Sequence, residues 1–367
     1  MIHLKNKINL FEPNIDKSEE KIVLDILRSK FWASGSGVGN VKKFEDKFKK
    51  YVQADECLAV NSGTAALNIA LSLINIKNKE VILPSLSFVS TANCILMNGG
   101  IPVFADVDPQ TLCLEVNSIK KSITNKTKAI IPVHFGGMSC DMKEIIKISK
   151  ANNLMIVEDA AHATGTIYNK KKIGSHGFAV CFSFHPVKNL AMPTGGLIAI
   201  NDKNHEKIAK KIQSKRWCGI TNRINDDYDI NEIGDNYYMN EISAGIGIKQ
   251  LEKLNSMNNI RKKIAKRYFS EIEVERKMPF VKDCSYHLYW ILVKNRKKFR
   301  EEMKKKGIQT GTHYKPIHTF SLYQNKNRKN LLVTETVGKQ IVTLPMHTNL
   351  SKSEIHKIIS YTNRFAE

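Results

Sequence analysis

Between residues 57 and 220, short apolar runs rich in β-branched residues alternate with stretches whose apolar residues recur at helical intervals. Such alternation predicts an α/β fold, in which a mostly parallel central sheet carries helices on both faces. After an apolar run at 57–60, the predicted strands are residues 80–83, 102–107, 129–135, 154–158, 178–184 and 197–200. The predicted helices between them are residues 65–75, 90–97, 116–123, 142–152 and 205–218.

The pattern changes after residue 240. Residues 241–272 carry apolar side chains at helix-like intervals, and a short strand at 288–293 and a helix around 299–306 follow. A last helix is predicted near 353–365. We therefore expect two domains: residues 1–250 as a large α/β domain that includes the N-terminal segment, and residues 251–367 as a smaller α+β domain.

The net charge of +22 raises nucleic-acid binding as an alternative function. Most of the excess is lysine, spread along the chain in runs such as 170–172, 262–263 and 304–306, without interleaved arginine and aromatic residues and without a recognisable nucleic-acid module. We therefore expect no specific nucleic-acid partner. A basic surface would still steer anionic substrates toward a site.

The first 14 residues contain no apolar signal-peptide core, and no apolar run is long enough to cross a bilayer. The seven cysteines are scattered, without a Cys-x-x-Cys pair or a zinc-like cluster with histidine. These features predict a cytoplasmic protein with no membrane partner, no disulfide framework and no metal site.

Two charged residues stand out because each follows a predicted strand. Lys188 lies in the segment Ser-Phe-His-Pro-Val-Lys-Asn at 183–189, one strand beyond the run Glu-Asp-Ala-Ala-His at 158–162. A lysine amine can bond to an aldehyde cofactor, and Asp159 on the same sheet edge could keep a pyridine nitrogen protonated. Each residue alone is more often a solvated surface group or a helix cap. Together they favour pyridoxal phosphate chemistry of the transaminase type.

A third feature is the turn Asn-Ser-Gly-Thr-Ala-Ala at 61–66, between the apolar run 57–60 and a helical pattern. A strand that enters a helix through small residues leaves free backbone N–H groups at the helix start, where an anion is stabilised. The turn is therefore a candidate phosphate site. An ordinary N-cap formed by Asn61 or Ser62 explains the same residues equally well.

Several segments in a fixed order together resemble the DegT/StrS family of pyridoxal-phosphate-dependent nucleotide-sugar aminotransferases, which have the type I aminotransferase fold. The resemblance runs nearly from end to end. The matching segments are residues 44–45, 61–66, 84–88, 158–162, 183–189, 234–237, 313–318 and 344–345.

The resemblance implies three catalytic residues. Lys188 looks like the lysine that bonds to the cofactor and later moves a proton, and Asp159 like the partner of the pyridine nitrogen. His162 occupies the position that hydrogen-bonds the phenolic oxygen of the cofactor. An alternative for His162 is a core histidine whose nitrogens are satisfied by the protein.

The resemblance also implies residues that bind the cofactor and the substrate. Phe88 would stack on the pyridine ring, although a core role is the alternative, and Asn236 would reach the phosphate from the neighbouring subunit of a homodimer with shared active sites. Tyr314, His318 and the segment 32–39 are the candidates for substrate contacts. The remaining predicted phosphate ligands are Gly63, Thr64, Ala65 and Ser183.

The predicted reaction moves an amino group from L-glutamate to a keto-deoxy sugar on a nucleoside diphosphate, such as a 4-keto-6-deoxy hexose, for a surface glycan or an aminosugar. The sequence departs from the family pattern at 190–196 and at Tyr238, where an arginine is often found. Both departures affect the substrate assignment. The alternatives are another type I enzyme acting on an amino acid and a catalytically idle regulatory or binding member.

Overall fold

The computed structural model describes residues 7–324 and 330–366. Its largest element is a seven-stranded sheet, and the remaining strands form three two-stranded sheets. The strands are β1 (Glu56–Val60), β2 (Glu80–Pro84), β3 (Ile101–Ala105), β4 (Thr127–Ile130), β5 (Met155–Asp159), β6 (Ile167–Tyr168), β7 (Lys171–Lys172), β8 (Ala179–Ser183), β9 (Gly196–Ile200), β10 (Ile220–Ile224), β11 (Asp227–Ile230), β12 (Tyr289–Leu292) and β13 (Ile341–Leu344).

Eleven α-helices lie within the described residues, and most of those before residue 220 connect strands of the large sheet. They are α1 (Lys17–Ser29), α2 (Asn40–Val52), α3 (Gly63–Ser72), α4 (Ser90–Met97), α5 (Val116–Ser122), α6 (Met142–Ala151), α7 (His205–Lys215), α8 (Glu241–Glu271), α9 (Arg296–Lys305), α10 (Leu332–Gln340) and α11 (Lys352–Phe365).

The strand order in the large sheet is β1-β9-β8-β5-β4-β2-β3. The strands from β8 to β3 pair in parallel, and only β9 runs antiparallel to its two neighbours, β1 and β8. The predicted α/β class with a mostly parallel sheet is therefore confirmed. Because β2, β4, β5 and β8 run the same way, their carboxyl ends meet at one edge, where a ligand is expected.

The predicted strand at 129–135 is too long. The strand β4 ends at Ile130, an isolated bridge at Val133 follows, and residues 135–137 form a 3-10 turn. Pro132 cannot donate to the ladder, and Gly136 has a positive φ of 65°, so the chain leaves the sheet there. The chain thereby places the peptide of Gly136 beside the carboxyl end of β5, where Asp159 pairs with Val133.

The C-terminal part begins along α8, a single unbroken helix of 31 residues that matches the prediction for 241–272. Beyond it, β12 and β13 form an antiparallel pair, and the same part of the chain contains α9, α10 and α11. The N-terminal residues contact this part of the chain, since Ile8 pairs with Ile308 and Leu10 accepts a hydrogen bond from Met346. The predicted domain boundary at residue 250 falls inside α8 and stays a prediction.

No helix within residues 7–324 and 330–366 combines the length and apolarity needed to span a membrane.

A buried ion pair joins the elements that lead into the turn at 61–66. Arg216, at the end of α7, donates to the Glu45 carboxylate at 2.6 Å and to the carbonyl of Ala59 at 2.8 Å. Glu45 also accepts a hydrogen bond from the Ala59 N–H. Burial raises the pKa of Glu45, and the Arg216 charge opposes that rise. The pair therefore ties α2 and α7 to β1, two residues before that turn begins.

We expect Arg216→Met to lower the free energy of unfolding by about 3–5 kcal/mol, because it leaves Glu45 buried without its cation. The matched control is Lys215→Met, whose ion pair with Glu232 is partly exposed, and whose loss is expected to cost about 0–1 kcal/mol. Urea unfolding of both variants measures the difference. Equal losses in the two variants would contradict the role given to the Arg216 pair.

Candidate active site

A cavity of about 320 Å³ opens at the carboxyl edge of the large sheet. Its volume is in the range of sites for small ligands. Eight of the residues predicted from the sequence line it together: Gly63, Thr64, Phe88, Asp159, His162, Ser183, Lys188 and Tyr314. They come from strands, loops and one helix start that are far apart in the chain.

The floor of the cavity is the first turn of α3. Ser62 caps the helix by accepting a hydrogen bond from the Ala65 N–H at 3.1 Å, which confirms the N-cap interpretation. The N–H groups of Gly63 and Thr64 have no acceptor within the helix and lie beside the cavity. The same turn is therefore a capped helix start whose remaining N–H groups can accept an anion, so its role as a phosphate site stays a prediction.

Two glycines allow this turn to approach the sheet. A Cβ on Gly63 would lie 2.7 Å from the Cβ of Ser183 on β8, and a Cβ on Gly196 would lie 2.3 Å from the backbone of Ser62. Both distances are shorter than real carbon contacts. Any larger residue would push the helix start away from β8 and β9.

Asp159 ends β5, and only 6% of its surface is exposed. Its two carboxylate oxygens accept hydrogen bonds from the Thr91 hydroxyl at 2.8 Å and from the Ala161 N–H at 3.1 Å. Burial raises the pKa of Asp159, while these hydrogen bonds and the charge of Lys188 oppose the rise. The side chain can accept a further hydrogen bond from a cationic ring nitrogen in the cavity.

Lys188 extends into the same cavity from the loop after β8. Burial lowers the pKa of its amine to about 8, and the negative charge of Asp159 limits that fall. A substantial fraction of this lysine is therefore neutral near physiological pH, as nucleophilic attack requires. Its Nζ lies 3.5 Å from Nε2 of His287.

Histidines surround Lys188 on the side of the C-terminal part. His162 accepts a hydrogen bond from the Gly136 N–H at its Nδ1, 3.2 Å away, and its Nε2 lies 3.1 Å from the Tyr314 hydroxyl. Burial, and then the charge of Lys188, hold the pKa values of His162 and His287 well below the usual range. The same causes lower the pKa of His313 to about 4. All three rings are therefore neutral at pH 7.

Phe88 lies at the rim of the cavity and is 55% exposed. A core phenylalanine would be buried, so the alternative that Phe88 only fills the core is wrong. Its ring centroid is 6.0 Å from that of Tyr314. The exposed face can stack on an aromatic ligand.

Three predicted residues do not line this cavity. Ala65 is the third residue of α3, and the backbone carbonyl of the exposed Asn236 accepts a hydrogen bond from the Asn61 side chain. His318 is held outside the cavity, with Nδ1 2.7 Å from the Ser85 hydroxyl. Its predicted contact with substrate stays a prediction, as does the contact of Asn236 across a dimer.

The two departures from the family pattern are in different places. In the segment 190–196, Leu190, Ala191 and Met192 are buried in the core, and Thr194 and Gly195 reach the cavity wall. Tyr238 lines a separate cavity of about 520 Å³ together with Arg223.

The sequence did not identify three residues of the site. Thr91 orients Asp159 from the first turn of α4, and His287 approaches Lys188 from the loop before β12. Phe11 stacks on His287 with ring centroids 5.3 Å apart. Only the polar His287 within the apolar run 284–293 was a visible signal, and nothing in the sequence indicated which strand end it meets.

The residues present fit pyridoxal phosphate. The glycine-lined turn would offer backbone N–H groups to a phosphate, the buried Asp159 could pair with a protonated ring nitrogen, and the partly neutral Lys188 could bond to an aldehyde. Phe88 supplies an exposed ring at the mouth of the same cavity.

Comparisons with known proteins agree with this geometry. The model of the DegT/DnrJ/EryC1/StrS aminotransferase family matches residues 13–362. The GDP-perosamine synthase of Escherichia coli O157:H7 is 31% identical, with 98% of each chain covered. The structure of Helicobacter pylori PseC, an aminotransferase involved in the biosynthesis of pseudoaminic acid, has a TM-score of 0.92 at 29% identity, over 98% of this chain and 99% of that one.

A putative sugar aminotransferase of Streptococcus pneumoniae, Spr1654, is solved in its PLP and PMP forms. The PLP form has a TM-score of 0.92 at 29% identity, over 98% of this chain and 99% of that one. The PMP form has the same score and identity, over 98% of each chain.

We expect the Lys188 amine in cofactor-free protein to react with a midpoint near pH 8, because burial disfavours its charged form. Reductive methylation at several pH values, followed by peptide mass spectrometry, measures this midpoint, and the exposed lysines serve as internal controls. Asp159→Asn should lower the midpoint further, because the Asp159 carboxylate stabilises the ammonium form and the variant lacks this negative charge. A midpoint near the ordinary value of about 10 would contradict the assignment.

Proposed function

We propose that this chain, which belongs to the DegT/DnrJ/EryC1/StrS aminotransferase family, takes an amino group from L-glutamate and delivers it to a keto-deoxy sugar carried on a nucleoside diphosphate. The protein is a sugar aminotransferase that uses pyridoxal phosphate. The proposal adds the amino donor and the form of the acceptor, which is most simply a 4-keto-6-deoxy hexose.

The observation that supports the proposal is the convergence of Lys188, Asp159 and the Gly63–Thr64 helix start on one cavity. Each group supplies a different requirement of amino transfer: a nucleophilic amine, a buried negative charge and an anion site. The sugar-nucleotide part rests on relatives, since one is named a GDP-perosamine synthase and another a spore coat polysaccharide biosynthesis protein.

Pyridoxal phosphate, when bound, supplies the aldehyde and the electron-accepting ring on which amino transfer depends. Lys188 would hold the cofactor and then carry a proton to and from the reacting carbon. A pKa of about 8 suits both tasks, because the amine can release and take up a proton near neutral pH. No other lysine lines the cavity among the described residues.

Asp159 would keep the ring nitrogen protonated by placing a carboxylate beside it. Thr91 and the Ala161 N–H use one acceptor site on each oxygen, which fixes the carboxylate plane and leaves the remaining lone pairs for the ligand. The first turn of α3 and Ser183 would hold the phosphate, and Phe88 would cover one face of the ring.

We expect L-glutamate to remove the visible absorbance of the protein–cofactor complex and to release 2-oxoglutarate. A GDP- or UDP-linked 4-keto-6-deoxyhexose should then restore the absorbance and gain an amino group, detected by mass spectrometry. Lys188→Ala should lower turnover by about 10³-fold or more, because the residue that transfers the proton is gone. The exposed Lys171→Ala variant is the matched control.

Other outcomes would reject parts of this proposal. Regeneration by simple 2-oxo acids but by no sugar nucleotide would indicate a type I enzyme that acts on amino acids. Absence of any cofactor absorbance after addition of pyridoxal phosphate would indicate a catalytically idle binding member.

We also propose a homodimer in which Asn236 binds the phosphate in the neighbouring subunit. Asn236 is exposed and absent from the cavity of its own chain. It follows the β10–β11 hairpin and its adjoining loop, whose apolar side chains are exposed, Ile224 by 74% and Ile233 by 92%. Tyr228 and Ile230 of the hairpin are also exposed, by 51% and 57%, and a cluster of exposed apolar side chains supports an interface at this surface.

Hybrid dimers test this arrangement. Lys188→Ala and Asn236→Asp each inactivate both sites of their own homodimer, the second because a carboxylate would repel the phosphate. If Asn236 acts across the interface, mixing the two variants creates one intact site per hybrid, and activity should return to about one quarter of the wild-type value. If Asn236 acts within its own chain, mixing restores nothing.

A further inference from the structure

The hydrogen bonds of His162 assign its tautomer. The Gly136 N–H points at Nδ1 from 3.2 Å, and a backbone N–H can only donate. Nδ1 must therefore carry a lone pair, and the proton of the neutral ring is on Nε2. The opposite tautomer would place two hydrogens between Gly136 and His162.

The direction of the next hydrogen bond follows. Nε2 of His162 is 3.1 Å from the Tyr314 hydroxyl oxygen, so His162 donates and Tyr314 accepts. The single proton of the Tyr314 hydroxyl then has to point away from His162. Within residues 7–324 and 330–366 this hydroxyl has no second hydrogen-bond partner, and Tyr314 lines the cavity.

The packing around Tyr314 holds this direction. Its ring lies between Phe88, at 6.0 Å, and Phe135, which meets it edge to face at 6.3 Å. The peptide that carries the Gly136 N–H is fixed in turn, since its carbonyl, that of Phe135, accepts a hydrogen bond from the Met138 N–H at 2.9 Å. Burial also raises the pKa of the Tyr314 hydroxyl, so it remains protonated at neutral pH. The donor is therefore oriented before a ligand binds.

We propose that Tyr314 donates a hydrogen bond to an oxygen of the bound ligand, and that His162 is a positioning residue that acts through Tyr314. The inference rests on the proposed function. It reassigns the contact that the family resemblance gives to His162, because both nitrogens of His162 are already used by Gly136 and Tyr314. The acceptor is an unprotonated oxygen, which is either the phenolic oxygen of the cofactor or the carbonyl oxygen of the keto sugar.

The first arm of the test measures binding to cofactor-free protein by quenching of intrinsic fluorescence. The probes are pyridoxal phosphate and 3-deoxypyridoxal phosphate, which lacks the phenolic oxygen. If that oxygen is the acceptor, Tyr314→Phe weakens pyridoxal phosphate binding about tenfold and leaves the deoxy analogue unaffected. Tyr168→Phe, which removes a hydroxyl bonded to Asp141 outside the cavity, is the matched control.

The second arm applies when Tyr314→Phe binds pyridoxal phosphate and 3-deoxypyridoxal phosphate as tightly as the wild type does. Tyr314→Phe should then slow the half-reaction with the keto-sugar nucleotide by about 10²-fold, because the carbonyl loses its hydrogen-bond donor. The half-reaction with L-glutamate should keep its rate. Because the first arm needs no substrate, a wrong sugar assignment and a wrong Tyr314 assignment give different results.

The role of His162 is tested by a double-mutant cycle. The measured quantity is the pyridoxal phosphate affinity or the rate of the keto-sugar half-reaction, depending on which one Tyr314→Phe changes. Because His162 acts through Tyr314, His162→Phe in the Tyr314→Phe background should cause no further loss. His162→Gln should retain most of the wild-type value, since its carbonyl can accept from Gly136 and its amide can donate to Tyr314. Thermal unfolding of each variant shows whether it is folded.

Two results would overturn the proposal. One is a Tyr314→Phe protein that matches wild type in both binding assays and both half-reactions. The other is an additive cycle, in which His162→Phe lowers the measured affinity or rate by the same factor in the Tyr314→Phe background as in the wild type. That result would mean that His162 contacts the ligand itself.

Discussion

The active site depends on how closely the first turn of α3 approaches the sheet. Gly63 lies against Ser183 of β8, and Gly196 of β9 lies against the backbone of Ser62, at distances that leave no room for a Cβ. This contact places free helix N–H groups beside the strand ends that carry Asp159 and Lys188. The ion pair of Glu45 and Arg216 holds β1 in position just before the turn. The free N–H groups of the helix start and the reactive groups therefore share one cavity, because this helix start lies in close contact with two strands.

Burial is the common cause of the chemistry in this cavity. It lowers the pKa of Lys188 and keeps His162, His287 and His313 neutral, while it raises the pKa of Asp159. Two hydrogen bonds to the Asp159 carboxylate offset its desolvation. The cavity therefore holds one carboxylate, one amine that is readily neutral, and several uncharged donors and acceptors. Such a set suits proton transfer without trapping a charged group in a fixed ion pair.

Apart from His162, which follows β5, these neutral side chains come from parts of the chain outside the large sheet. His287 precedes β12, and His313 and Tyr314 lie in the loop after α9. Phe11 belongs to the N-terminal segment that pairs with the C-terminal part. Packing against Phe88 and Phe135 fixes the Tyr314 ring, and the turn at Gly136 fixes His162. The C-terminal part thus supplies oriented hydrogen-bond donors to a reaction centre built on the sheet.

The sequence by itself determined the α/β class, most strand and helix positions, and the roles expected of Lys188, Asp159 and the turn at 61–66. These predictions depend on local patterns, namely the spacing of apolar residues, the residues in turns and the spacing of motifs. The apolar run 129–135 did not show where β4 ends, because Val133 and Phe135 are buried although they lie beyond the strand. Nor could the sequence place Thr91 or Phe11, since nothing local distinguishes them from ordinary helix and loop residues. His287 was visible as a polar residue in an apolar run, but the sequence did not indicate which strand end it meets. Only the tertiary structure decided which strand ends meet, which nitrogen of His162 carries the proton and which pKa values shift, because each depends on contacts between residues far apart in the chain.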